Sequence, residues 1–483
     1  MNICIAGANG FIGKALCQNL SDRHLVFGIT RERLPVAAQN LDRKNGIQLR
    51  SANLFSLLEL ERAMEGGDVA VYLVHSMLPS SRLTQGSFED LDAILADNFA
   101  RAAKAKGIKR IVYLSGLMPE GNLSPHLRSR KEVECILASH GVPVVSLRAG
   151  LVIGPGSSSF RIMENLVGRL PILICPSWTS KLCQPISLCD VVEVLTHVIE
   201  DPLLPAESYD IGGPDVLSYV DMMGLVAQQL HVKRWFFRVP FVSKAISRLW
   251  VSTVTATPKA LVYPLIESLE HSMVAKDRHL QARYHLVPIS FTEALRRAFH
   301  QDLAGKKMTE VLPPKANENQ ARQRDTTVIS VQRLPLAKGR SVSWVANEYA
   351  RWLPQFLNPL LRVESLTDGI LSFIVCPLGS KGPRWQLLEL TYSAERSSST
   401  RQLYYITGGS LLKRVPSRSR GRLEFRAIAG RSDCIAAVLD FRPRLPWWIY
   451  KVTQANAHLL VMYFFALHLR LSKKLDETMP EIT

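Results

Sequence analysis

The feature that most restricts what this chain can fold into lies in its first thirteen residues. Met1 to Ala6 is a short apolar run that reads as a buried strand. Gly7-Ala8-Asn9-Gly10-Phe11-Ile12-Gly13 follows at once, and Lys14 to Leu20 has helical spacing. Strand, glycine turn and helix in that order make a phosphate cradle. One glycine allows the tight turn, a second lets backbone approach a pyrophosphate with no Cβ in the way, and a third lets the helix pack closely on the strand. Free N–H groups and the positive end of the helix dipole then face the anion. The position between strand and helix separates this motif from a chance glycine string.

The segments that follow alternate strand with helix. His24–Thr30 is a second strand and ends in Arg31-Glu32-Arg33; Gly46–Arg50 is a third and runs into Ala52-Asn53-Leu54. Asp68–Val74 leads into His75-Ser76-Met77, and Ile108–Leu114 leads into Ser115-Gly116. Strands separated by amphipathic helices imply parallel pairing with right-handed crossovers. Ligands of such sheets lie outside the carboxyl ends of the strands, which is where Asn53, His75 and Ser115 fall. The residue just past the second strand meets the adenosine ribose in dinucleotide folds. A basic group there accommodates a 2′-phosphate, so Thr30 and Arg31 favour NADP, while Glu32 keeps NAD open.

At 483 residues the chain is too long for one ordinary core, and two or three domains are expected. A formal net charge of +17 makes acidic partners worth considering, whether nucleotide, nucleic acid or anionic lipid, although surface bias explains the same number. No helix-turn-helix, zinc-knuckle or RNP pattern supports a nucleic-acid reading. Eight scattered cysteines with no C-x-x-C pair form neither a zinc framework nor a disulfide scaffold, so a reducing, cytoplasmic compartment is expected and no metal. The N-terminus lacks the basic region of a signal peptide. The uncharged interval Val452 to Leu469 carries too many polar residues for a spanning segment and reads as a buried or surface-seated helix.

Taken together, Gly7-x-x-Gly10-x-x-Gly13, Ala52-Asn53-Leu54, Leu73-Val74-His75-Ser76, Tyr113-Leu114-Ser115 and Arg148-Ala149-Gly150-Leu151-Val152-Ile153-Gly154-Pro155-Gly156 resemble an atypical short-chain dehydrogenase/reductase of the epimerase-like and NmrA-like branch. The resemblance covers roughly residues 1–300. It implies an α/β Rossmann-type parallel sheet with a small substrate lobe. It also implies cofactor contacts from Gly7, Asn9, Gly10, Phe11, Ile12, Gly13, Thr30, Arg31, Asn53, Leu54, Val74, His75, Ser76, Arg130 and Gly150. Asp190 in Gln184-Pro-Ile-Ser-Leu-Cys-Asp190 reads as a helix cap.

The departure from the family pattern is informative. Catalytic members place a Ser, a Tyr and a Lys four residues after the Tyr, and the Lys lowers the phenol pKa. Here Ser115 holds the serine position, but His126 and Arg130 occupy the Tyr-x-x-x-Lys spacing. An imidazole exchanges protons near neutral pH, whereas a guanidinium holds ribose or phosphate without sharing its proton. Two readings stay open. Ser115, His126 and Arg130 form a replacement catalytic set of an oxidoreductase acting on a carbonyl or hydroxyl substrate, or the fold keeps its nucleotide without turnover, as a redox sensor or apolar-ligand module.

Residues from Gly156 to about His300 are expected to build the substrate lobe. Within them Trp235, Phe236, Phe237, Phe241 and Trp250 alternate with Lys233, Arg234, Arg238, Lys244 and Arg248. Core packing with snorkelling basic stems is the expectation there, with seating on acidic lipid as the alternative. Residues 305–325 are polar, carry Pro313-Pro314 and read as a linker between domains at 1–304 and 326–475, with a tail at 476–483.

The second domain starts with a strand at Thr326–Leu334 and a helix at Ser343–Phe356. Five strand-like runs follow, at 369–375, 385–392, 401–407, 421–427 and 434–441, and one long closing helix from about Pro446 to Lys474. This order, with Leu388-Glu-Leu-Thr-Tyr392, Tyr405-Ile-Thr-Gly-Gly409 and Asp440-Phe-Arg-Pro-Arg444-Leu-Pro-Trp447, resembles an α+β helix-grip (START-like) domain. Such a domain implies an apolar cavity with a small molecule or lipid in it, and peripheral membrane contact stays open. Asp440, Arg442 and Arg444 are expected to pair with one another, and Lys413, Arg414, Arg418, Arg420 and Arg422 to form a solvated loop.

Overall fold

The computed structural model describes residues 1–31, 46–76, 83–239, 244–255, 259–304, 327–358, 361–366, 369–376, 384–413 and 420–478. The expected linker at 305–325, and Glu32, Arg33, Met77, Phe241, Arg414 and Arg418, lie outside them. Contacts divide the chain into two compact units, one made of Met1–Leu78 and Asp92–Lys315, the other of Pro79–Leu91 and Ala316–Thr483.

In the first unit, strand β1 (Asn2–Ala6) feeds helix α1 (Phe11–Ser21), and β2 (Leu25–Thr30) and β3 (Ile47–Ser51) follow. Helix α2 (Leu57–Ala63) and β4 (Val69–Tyr72) come next. Strand β5 (Leu83–Gln85) belongs to the second unit, and helix α3 (Phe88–Ala105) leads on to β6 (Arg110–Gly116), α4 (Pro125–Ala138) and β7 (Val144–Ala149). Helix α5 (Leu188–Glu200) and β8 (Ser208–Ile211) complete this part of the unit. The sheet order is β8-β7-β6-β4-β1-β2-β3, and every pair is parallel. The order reverses at β1, so the crevice beside the glycine turn is a topological switch point.

Burial explains why these segments became strands. Ile3, Cys4, Ile5 and Ala6 are fully buried, as a strand covered on both faces requires. Helix α1 buries Gly13, Leu16, Cys17 and Leu20, the i, i+3, i+4, i+7 stripe of a helix lying on a sheet. Ser187 caps α5 by accepting a bond from the Asp190 N–H at 3.0 Å. The cap itself is Ser187, and the Asp190 carboxylate, in the first turn, accepts from Ser187 and from the Ile289 N–H at 3.2 Å.

A second buried cluster, which includes Phe160, Met163, Met222, Val226 and Leu295, forms a separate core within the stretch expected to build a substrate lobe. Strand Trp235–Arg238 pairs in parallel with Ile172–Cys175. Core packing was expected for its aromatic residues, but only Phe236 turns inward. Trp235 is 69% and Phe237 53% exposed, because alternate residues of this two-stranded ribbon face solvent.

The second unit holds an eight-stranded sheet. Its remaining elements are β9 (Val328–Pro335), α6 (Val342–Phe356), β10 (Leu361–Leu366), β11 (Ile370–Val375) and β12 (Trp385–Tyr392). Then come β13 (Arg401–Gly408), β14 (Arg422–Ala427), β15 (Asp433–Phe441), α7 (Trp447–Val452) and α8 (Gln454–Thr478). The order is β10-β11-β12-β13-β14-β15-β9-β5; neighbours are antiparallel except at the edge, where β5 joins β9 in parallel. The expected antiparallel meander is present, with β10 added at its far edge.

The closing helix is two helices. Thr453 turns out of helical geometry (φ −112°, ψ −83°), and its hydroxyl donates to the Ile449 carbonyl at 2.6 Å, a local bond that competes with the helix ladder. Helix α8 then runs to Thr478, into the expected tail.

Alternation along β14 puts Leu423 and Phe425 on one face and Arg422, Glu424 and Arg426 on the other, and all of them are buried. Glu424 accepts from Arg401 at 3.0 and 3.2 Å and from Arg422 at 2.7 Å, and it pairs with Arg426. Arg422 also donates to Asp440 at 2.6 Å. Two expectations fall here: Arg422 is not part of a solvated loop, and Asp440 pairs with Arg422 rather than with Arg442 or Arg444. Burial disfavours the Glu424 charge, but the three guanidiniums outweigh it and hold its pKa well below the usual range.

Candidate functional site

The glycine turn has the geometry of a cradle. Gly7 has φ +89°, a left-handed backbone, and the Gly10 N–H donates to the Gly7 carbonyl at 2.8 Å. Gly10 is the N-cap of α1 and carries no side chain to satisfy the first-turn N–H groups, which stay available for an anion. A Cβ on Gly13 would lie 2.1 Å from the Gly7 oxygen, so the close approach of helix to turn requires glycine. Phe11 and Ile12 are half-buried against the sheet core. Phe11 also sits beside Gly154, where a Cβ would come within 3.1 Å of its ring.

The carboxyl ends of β2 and β3 are held by polar ties. Asn9 Nδ2 donates to Thr30 Oγ1 at 3.0 Å, which joins the glycine turn to the end of β2, and Arg31 beyond it is exposed. The Asn53 carboxamide oxygen accepts from the Phe55 N–H at 3.1 Å, while the backbone N–H of Asn53 donates to Glu59 at 2.9 Å. Leu54 is buried. Its carbonyl and that of Phe55 accept from Asn98 Nδ2 at 2.9 and 3.0 Å. Asn98 is fully buried on α3 and was not foreseen. A lone amide on the apolar face of that helix is the signal that could have revealed it.

At the other end of the crevice a polar cluster surrounds Arg130. The guanidinium donates to Tyr113 Oη at 3.4 Å. Burial works against its charge, but Tyr113 and Asp92 outweigh it and its pKa is raised. Asp92, also on α3, accepts from the Ser76 N–H at 2.7 Å and from Ser129 Oγ at 3.3 Å. It thereby ties the loop after β4 to helix α4. Burial raises its pKa, and Arg130 and these donors oppose that shift. Tyr72 Oη is buried with no hydrogen-bond partner among the described residues, and burial lifts its pKa well above the usual value. Ser115, 7% exposed, is the penultimate residue of β6, two residues beyond Tyr113.

His126 and Arg130 are one helical turn apart on α4 and so share a face. Burial, then Arg130, then His75 push the His126 pKa down to about 3. His75 is exposed at the surface. Its pKa falls to about 4 through loss of hydration, then through Arg130 and Arg31. Both imidazoles are therefore neutral near pH 7, which differs from the neutral-range exchange expected of His126. Val74 is half-buried between β4 and His75. Around Gly150 the neighbours are Gln184, Leu117 and Met273. Of the foreseen residues, the structure thus joins Asn9 with Thr30 through a hydrogen bond, and His75, Ser76, His126 and Arg130 through Asp92 and mutual electrostatics.

Comparison with known proteins agrees with this geometry. A family model described as NAD(P)H-binding matches residues 7–153. The auxiliary protein GraX of Staphylococcus aureus is 29% identical over 144 residues, which cover 29% of this chain and 42% of that protein, less than half its length. An uncharacterised UDP-glucose epimerase of Bacillus subtilis, YtcB, is 24% identical over 321 residues, covering 59% of this chain and 99% of its own. Among solved structures, the NADPH-dependent quinone oxidoreductase QOR2 of Escherichia coli, complexed with NADPH, superposes with a TM-score of 0.50 at 19% identity, covering 62% of this chain and 99% of that one. The first unit therefore has the fold of NAD(P)H-binding, epimerase-like short-chain reductases. Among the described residues, no helix is long and apolar enough to cross a membrane.

Proposed function

We propose that the first unit binds NADP(H) and reduces a small carbonyl-type compound. The observation that carries this reading is the cradle: a left-handed Gly7, an uncapped α1 and a Gly13 that admits no Cβ, all at the switch point of a parallel sheet. Arg31 at the end of β2 supports NADP over NAD. When bound, the nicotinamide would supply a hydride. In this reading the Ser115 hydroxyl orients the substrate oxygen, and the neutral His126 ring offers it an N–H. Arg130, fixed by Tyr113 and Asp92, contributes a permanent positive charge as negative charge develops on that oxygen, and solvent delivers the final proton.

The depressed His126 pKa favours a second reading, in which nucleotide is bound and reported without turnover. Titration with NADPH and with NADH, followed by a reductase assay over quinone and carbonyl substrates, separates the two. Tight NADPH binding with turnover that is lost in Ser115→Ala supports the enzyme, and binding without turnover supports the sensor. Binding of neither nucleotide would overturn both. For the second unit, the order of strand, helix, meander and closing helices supports a helix-grip domain that holds an apolar ligand. The scattered free thiols support a cytoplasmic setting.

A further inference from the structure

Helix α8 is apolar on both sides, and only one side is covered. Ala455, Met462, Phe465 and Leu469 recur at spacings of seven, three and four and are buried against the sheet of the second unit. On the opposite side Leu460 is 56%, Tyr463 59% and Leu471 63% exposed, with Phe464 at 37%. The short helix α7 extends this exposed surface with Trp448 at 72% and Val452 at 66%. An all-round apolar helix is normally buried. Water on this side would be a standing cost unless something covers it.

Charge identifies what covers it. Residues 441–475 contain no Asp or Glu, while Arg442, Arg444, Lys451, Arg470, Lys473 and Lys474 are all basic. Arg444, Lys451 and Arg470 are exposed. Arg444 and Lys413 also line an open pocket with Ser410 and Gln386. A second copy of this chain would bring the same uncompensated positive charge to the contact and be repelled. An anionic bilayer complements it. Trp448 and Tyr463 have the amphipathic rings favoured at headgroup depth, and the helix is too polar to span.

We propose that α7 and the outer face of α8 form a peripheral membrane dock for anionic phospholipid, lying in the interface with the basic residues at headgroup level. The proposal is independent of what the first unit does.

The test is cosedimentation of the full-length protein with vesicles of phosphatidylcholine alone and of phosphatidylcholine mixed with phosphatidylglycerol. Binding to the mixed vesicles only, weakened by added salt, is expected. Lys451→Glu combined with Arg470→Glu should weaken that binding by at least about tenfold, since each basic residue at an anionic surface supplies a several-fold gain. Leu460→Asp should also weaken it. Lys104→Glu, a charge reversal of the same kind at one exposed α3 position, should leave binding unchanged, and circular dichroism melts check that each variant folds. Failure to bind the mixed vesicles, or equal binding to both kinds, would overturn the proposal. So would a wild-type dimer in light scattering that Leu460→Asp dissolves while vesicle binding is absent.

Discussion

Replacing Gly13 with alanine tests the cradle most directly. The added methyl would lie 2.1 Å from the Gly7 oxygen and 2.9 Å from its carbon, both backbone atoms that cannot rotate away. Ordinary contact begins at 3.4 Å, so helix and turn must separate by about 1.3 Å at a site where fully buried Leu16 and Ala8 leave no slack. Overpacking of this kind costs about 1–3 kcal/mol, and at about 2–4 °C per kcal/mol the unit's Tm should fall by roughly 2–12 °C. The same displacement carries the Gly7–Gly10 N–H groups away from the pyrophosphate, so NADPH affinity should drop by at least about tenfold, equivalent to about 1.4 kcal/mol. Nicotinamide fluorescence titration below the variant's Tm reads the affinity, and calorimetry reads the stability. Gly66→Ala is the control: Gly66 has φ +74° and no atom within 4 Å of a new Cβ, so it takes only about 1 kcal/mol of backbone strain and leaves the cradle alone. Gly13→Ala protein that bound NADPH like the wild type would refute the argument.

Three further outcomes are expected. Asn98→Leu leaves the Leu54 and Phe55 carbonyls without their buried donor and should cost about 1–3 kcal/mol, read as a lower urea midpoint, with weaker nucleotide binding because the loop after β3 loosens. His75 and His126 titrate at about 4 and about 3 in the folded chain against 6.5 unfolded, so the unfolded state binds more protons between those values. Stability from these residues is therefore intact above about pH 6.5 and lost as the pH falls toward 4 and 3, and His126→Gln should flatten the fall in Tm between about pH 7 and about pH 5. Glu424→Gln removes the charge that Arg401, Arg422 and Arg426 share and should destabilise the second unit by about 3–5 kcal/mol, seen as an earlier second transition in denaturant.

What the sequence determined by itself was whatever is encoded within a few residues. The strand, glycine turn and helix at 2–21, the alternation of β and α through β7, and the meander from β11 to β15 each follow from local periodicity and turn residues; the observed strand bounds differ from the expected ones by a residue or two, while α1 starts three residues earlier than its apolar spacing suggested. The positions of Asn53, His75 and Ser115 near the carboxyl ends of those strands were legible for the same reason. Only the tertiary structure decided which faces are covered. Leu83–Gln85 is too short to carry a period, and it becomes a strand only because β9 offers an edge to it. Asp92 and Asn98 look like ordinary polar helix residues until burial makes them tether the site's loops. Arg422 reads as solvated and Trp235 as core, and each is the reverse, since exposure is set by neighbours distant in sequence. The acidity of His126 belongs to the same class. Its spacing from Arg130 was plain in the chain, but the low pKa comes from burial beside a fixed positive charge, which no stretch of sequence contains.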